Sequence, residues 1–269
     1  MRPDLVSHRF DAMGTSCSLL AIGRPHAELL EGERLVRAMA ARFTRFSRDS
    51  ELSRLNASAG EWRRVSGDLA AVLRAALDAH AMSMGLVNAA VLPSMVAIGY
   101  TRTLADGPAV ATLEHARPLP PLPEVLEVRA GEARVAAGAG IDLGGIAKGW
   151  MADRLAHILG PSCVVNLGGD LRASGAWPVG FADTTLLLRD QGAATSSVRR
   201  RRWGELHHLI DPRTGLPAKT GLEEVSVVAA GGFEAEVIAK TALLLGPDGA
   251  PAYCATHAMA WWLGGRGDG

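Results

Sequence analysis

Four short segments hold the residues that could do chemistry. DLGGIAKG, Asp142 to Gly149, sets a carboxylate, two glycines and a lysine inside eight residues. A strand ending at Asp142 and a helix starting near Ala147 would leave Gly144 and Gly145 as a bare loop. Unpaired amides and the positive end of the helix dipole there suit a phosphate, and Lys148 adds a point charge. The stretch is neither a Walker A loop, which needs a glycine before and a hydroxyl after the lysine, nor a GxGxxG turn. A second glycine pair, Gly168 and Gly169, lies between Asn166 and Asp170 in VVNLGGDLRASG. It either lets a ligand or another chain approach the backbone or is an ordinary hairpin turn. HHLIDPRTGLP supplies His207 and His208, and an imidazole serves as base or ligand near neutral pH or simply satisfies strand-end hydrogen bonds. AEVIAK, Ala235 to Lys240, places Glu236 and Lys240 four apart in an apolar, helix-like run. An exposed pair of this kind contributes only ~0.2–0.5 kcal/mol, so the alternative is an altered cation site.

These groups need elements to position them. Strand character runs from Cys17 to Ile22, and apolar residues near the 3.6 period predict helices from about Ala27 to Phe43 and from Asp68 to Met84. PLPPLP, Pro118 to Pro123, continues neither pattern and reads as a linker or surface crossing. Val125–Val128 and Ala133–Ala136 predict a hairpin around Gly131. VVNLGGDLRASG, FADTTLLLRD and VSVVAAG supply further strands. Hairpin-like strands with separated helices predict an α+β fold of mixed or antiparallel sheets with flanking helices.

Composition bounds the function. A chain of 269 residues with 48% hydrophobic content buries a large core, and the expectation is one domain, 1–269, with a division into two subdomains near 118–123 as the alternative. Lys plus Arg equals Asp plus Glu at 28 each, so no global field favours nucleic acid or an anionic membrane. The N-terminus reads as lacking a signal peptide or lipid anchor, and no apolar run is long enough for stable membrane insertion. Cys17, Cys163 and Cys254 are odd in number, far apart and without CxxC spacing, which argues against a disulfide framework and points to a reducing cytoplasm.

The order MGT (Met13–Thr15), DLGGIAKG, VNLGGD, ATSS (Ala194–Ser197) and HLIDPRTG resembles the ApbE-like flavin transferases, the FAD:protein FMN transferases, from about Phe10 to Gly246. The resemblance implies an ApbE-like, T-fold-related architecture. It also implies an enzyme that binds FAD, cleaves its pyrophosphate, attaches FMN to a Ser or Thr hydroxyl of an acceptor protein and releases AMP, with magnesium as cofactor. It puts Met13, Asp142, Gly144 and Lys148 at the flavin nucleotide and Ile210 packed on it. His208 takes the place of the general base. The Gly145 carbonyl and Glu236 fall at metal-ligand positions. The family's usual Asp and Thr are replaced by Glu236 and Lys240, and an ammonium cannot ligate a metal, so Lys240 is expected to act in catalysis as a partial substitute for magnesium. Asn88 stands where a carboxylate is usual, and Phe46 where some members carry a tyrosine. The acceptor is unknown. The resemblance implies an acceptor with an Asp-x-x-Ser-Gly-Ala-Thr-like segment; ASGAWP at Ala173 lacks the accepting hydroxyl, so the chain is not expected to flavinylate itself. Two alternatives remain beside transfer: a FAD- or FMN-binding relative serving as carrier or regulator, and a FAD pyrophosphatase in which water replaces the acceptor hydroxyl.

Overall fold

The computed structural model describes residues 4–181 and 184–265. Its frame is a seven-stranded sheet in the spatial order Leu5–Ala12, Thr15–Ile22, Cys163–Leu167, Asp170–Ser174, Gly192–Ser197, Leu222–Ala229 and Ala260–Gly265. Every neighbouring pair is antiparallel. Two tight turns set the register near the site. Met13 and Gly14, both in the left-handed region at φ 54° and 68°, close the first hairpin. Gly168 and Gly169 close the hairpin at the sheet centre, with the Gly169 amide donating to Asn166 Oδ1 at 2.9 Å. Two left-handed residues in a two-residue loop match the right-handed twist of the flanking strands.

Period-2 alternation divides the sheet's side chains between two cores. One face sends Cys17, Leu19, Ala21, Cys163, Val165 and Leu167 into the main core with the helices His26–Phe43 and Ala147–Leu159. Further along the same sheet, Ala194, Val225, Val227 and Ala229 pack with Ala235, Ile238, Ala239 and Ala242 of the long helical segment Gly232–His257, which breaks at Gly246, where φ is 75°. The opposite face presents Val164, Leu171, Ala173, Ala193 and Val228 to Trp177 and Leu188 of a two-stranded ribbon, Ala176–Phe181 with Thr184–Arg189. The helix Gly67–Met82 packs behind the first layer of helices and is capped by Ser66, whose hydroxyl accepts from the Leu69 amide. It stops short of the expected Met84 because Met84 and Gly85 turn left-handed, at φ 53° and 85°.

The predicted helix from Ala27 is found as His26–Phe43, and the predicted hairpin as Leu126–Arg129 with Glu132–Val135, turning at Gly131. Leu119 in the proline-rich stretch donates its amide to Pro212 O at 2.8 Å, and Pro120 O accepts from the Asn88 side chain at 2.9 Å, so this stretch is tied across the surface. One expectation fails. Ile141 and Asp142 do not form a strand. The Asn56 side chain takes the place of a neighbouring strand, its Oδ1 accepting from Ile141 N at 2.8 Å and its Nδ2 donating to Ile141 O at 2.9 Å. The Asp142 amide donates to Ala89 O. Backbone groups satisfied by a side chain need no ladder.

Candidate active site

The long helix Gly232–His257 and the helix Ala147–Leu159 meet where both have glycine. A Cβ on Gly149 would lie 2.4 Å from Gly232 O, so the two backbones touch there. This approach carries Glu236, one turn into its helix, to the N-terminal turn of the other, where Glu236 Oε2 accepts from the Gly149 amide at 2.9 Å. The carboxylate complements the helix's positive end, and Glu236 is only 3% exposed.

Two lysines share that carboxylate. Lys240 Nζ lies 3.7 Å from Glu236 Oε1 and donates to the Gly145 carbonyl. Lys148 Nζ lies 3.7 Å from the same oxygen and pairs with Asp170, the residue closing the central glycine hairpin. Burial lowers the Lys148 pKa from 10.5 to about 8, against the pull of Glu236, with Arg201 and Lys240 adding to the depression. Lys240 is lowered by burial and by Arg201, and held up by Glu236 and Asp142. Arg201 thus belongs to the cluster, and its Nη2 donates to Met13 O at 3.4 Å, joining the first hairpin turn to the site.

His208 faces these cations. Its pKa falls well below 6.5, first through burial and then through Arg201 and Lys240, so the imidazole is neutral at neutral pH. Its Nδ1 is buried and has no hydrogen-bond partner. His207 differs: its Nδ1 accepts from the Leu209 amide at 3.3 Å and its Nε2 bonds to Ala218 O at 2.9 Å. Of the adjacent histidines, His207 is bound into the backbone and His208 is left with an open ring nitrogen.

Asp142 closes the other side. It accepts from Arg45 Nε at 2.5 Å and from the Gly144 amide at 2.7 Å, which fixes the glycine loop. The Arg45 guanidinium lies 4.3 Å from the Phe46 ring centre and 4.7 Å from that of Tyr100. Ile210 is buried with Met95, Ile98 and Tyr100, as the apolar floor beneath this aromatic pair. Asn88, in place of a carboxylate, makes a turn: its Oδ1 accepts from the Ala90 amide at 2.9 Å.

The structure therefore gathers Met13, Asp142, Gly144, Gly145, Lys148, His208, Glu236 and Lys240 and sets Ile210 one layer behind. Sequence reasoning missed Arg45, Asp170 and Arg201 as site residues. Asp170 reads as a turn residue, and Arg201 stands in the run Arg199–Arg202, where no spacing marks the side chain that turns inward.

The donor set does not fit a divalent cation. The Gly145 carbonyl already accepts from an ammonium, Glu236 lies between two lysines, and Asp170 is paired with Lys148. An anion fits better: four cations, Lys148, Lys240, Arg201 and Arg45, stand with three carboxylates, Glu236, Asp170 and Asp142, which leaves a surplus of one positive charge for a phosphate.

A family model described as the ApbE family matches residues 13–262. The FAD:protein FMN transferase of Klebsiella pneumoniae is 34% identical over 129 residues, 40% of this chain and 39% of that protein. The FAD:protein FMN transferase of Haemophilus influenzae is 25% identical over 272 residues, 89% of this chain and 78% of that protein. Alignments thus span 39% of the length of the Klebsiella pneumoniae and Treponema pallidum relatives. The crystal structure of the ApbE protein of Thermotoga maritima superposes with a TM-score of 0.86 at 21% identity, covering 97% of this chain and 94% of that one. The flavin transferase ApbE of Vibrio cholerae gives 0.82 at 22% identity, covering 99% and 95%. At those identities the structural likeness shows the fold, and the family model, matching most of the sequence, shows the membership: this chain belongs to the ApbE family.

Proposed function

We propose that this chain is a FAD:protein FMN transferase, which moves FMN from FAD to a Ser or Thr hydroxyl of an acceptor protein and releases AMP. The observation that carries the reading is the neutral His208, with its unpartnered buried Nδ1, under the influence of Arg201 and Lys240, which share the cluster with Lys148. Transfer to phosphorus needs positioning, charge neutralisation and a base, and these residues supply the last two.

In the reaction the acceptor oxygen bonds to the phosphorus on the riboflavin side of the pyrophosphate. The bond from that phosphorus to the bridging oxygen breaks, AMP leaves with that oxygen, and His208 takes the hydroxyl proton. Lys148 and Lys240 would meet the pyrophosphate charge, with Arg201 as a third cation. Asp142 holds Arg45 and the Gly144 loop in place, while the exposed Phe46, with Arg45 stacked on its ring, offers an apolar contact for a flavin. The names of the curated relatives and the family membership support the same activity. The proposal takes the cytoplasm as the setting, as expected from the sequence.

Incubation of the purified protein with FAD and a peptide carrying an Asp-x-x-Ser-Gly-Ala-Thr segment tests the proposal. The peptide is expected to gain the mass of one FMN ester on a hydroxyl residue. AMP without modified peptide would favour the pyrophosphatase. Bound flavin without AMP would favour a carrier or regulatory protein.

A further inference from the structure

The resemblance places a metal at the Gly145 carbonyl and the residue at 236, and those atoms hold the Lys240 ammonium instead. Its Nζ donates to Gly145 O and lies 3.7 Å from Glu236 Oε1, with the side chain 13% exposed. Exposed i,i+4 pairs do not reach out of their helix to a backbone carbonyl 95 residues away; this ammonium does. We propose that Lys240 is a built-in cation that occupies the metal position, so that this protein binds the pyrophosphate of its nucleotide without a divalent ion.

The surroundings agree with a resident cation. Glu236 is anchored by the Gly149 amide and cannot turn away from Lys240 without leaving that buried N–H unpaired. Lys148, on the other side of Glu236, is paired with Asp170, which leaves Lys240 as the cation at the Gly145 carbonyl. A four-carbon stem fixed at both ends also orders the ammonium before ligand arrives, whereas a hydrated magnesium ion sheds water reluctantly to reach its place.

The inference rests on the flavin-nucleotide reading only for the identity of the phosphate ligand, and its first test uses no nucleotide. Mn2+ is titrated into the ligand-free protein and followed by electron paramagnetic resonance. The parent is expected to leave Mn2+ free in solution. Lys240→Thr, which removes the ammonium and supplies an oxygen, is expected to take up one ion per chain and to lose it again when Glu236→Gln is added. Glu236-dependent Mn2+ uptake by the parent would overturn the proposal. So would a folded Lys240→Thr protein, checked by its thermal melt, that takes up none. The second test needs no variant: FAD binding to the parent, followed by flavin fluorescence, is expected to agree within about twofold between EDTA and excess Mg2+. An affinity about tenfold weaker in EDTA would overturn the proposal. Absence of FAD binding in both buffers would instead sink the flavin reading, and the Mn2+ titration would still decide the metal question.

Discussion

His208 and Lys148 owe their chemistry to the same cause, burial among cations, and that cause has opposite consequences for them. For His208 the lowered pKa means that the ring takes up a proton only well below its ordinary 6.5. The kcat/KM for transfer should therefore stay level as pH falls through 6.5 and break at a lower pH; a break at the ordinary value would show a solvated imidazole. His208→Ala should lose roughly 10²- to 10⁴-fold in turnover with FAD affinity largely kept, measured by AMP release beside equilibrium binding. For Lys148, a pKa of about 8 in the free protein means that its charge is present below that pH and lost above it. FAD affinity should be flat up to about pH 8 and weaken beyond it, and Lys148→Arg should extend the plateau. An unbroken affinity profile through that region in the parent would remove Lys148 from phosphate binding. His208 and Lys148 were legible as candidates because their residue types sit in motifs with recognisable neighbours. Arg201 was not, because the direction of one arginine among four depends on the bend between the strands ending at Ser197 and starting at Arg202, not on local spacing.

At the scale of elements, the contact between the helices Ala147–Leu159 and Gly232–His257 decides whether the site exists. Gly149→Ala would place a methyl 2.4 Å from Gly232 O and must push the helices apart. Overpacking of that kind typically costs about 1–3 kcal/mol, and here it also pulls Glu236 from the Gly149 amide and shifts both lysines. Lower thermal stability together with weaker FAD binding is the expected outcome; an unchanged melt would mean that the helices yield without strain. The helix His26–Phe43 was legible from its period, to within a residue at its start. The stretch at Ile141 was not, since its apolar character looks like a strand. What satisfies its backbone is the side chain of Asn56, 85 residues away, a pairing that no local pattern encodes.

Over the whole molecule, antiparallel pairing of seven strands with helices on one face matches the α+β expectation, and the two left-handed turns at Met13–Gly14 and Gly168–Gly169 bring distant chain segments to one site. The strand order was beyond reach of the sequence, because alternation marks which face a residue takes but not which strand lies beside it. The same framework bears on self-modification. Ala173 and Ser174 end a central strand, and the following Gly175 is bonded through both its amide and its carbonyl to Asp190, so this segment cannot present a hydroxyl to its own site. Intact mass of the chain after incubation with FAD should be unchanged, and a gain of one FMN would contradict this. The most direct measurement of the central claim is the ratio of AMP released to FMN ester formed on an acceptor during turnover with FAD. One AMP for each ester and little free FMN are expected; AMP accompanied by free FMN and no ester would show a pyrophosphatase instead of a transferase.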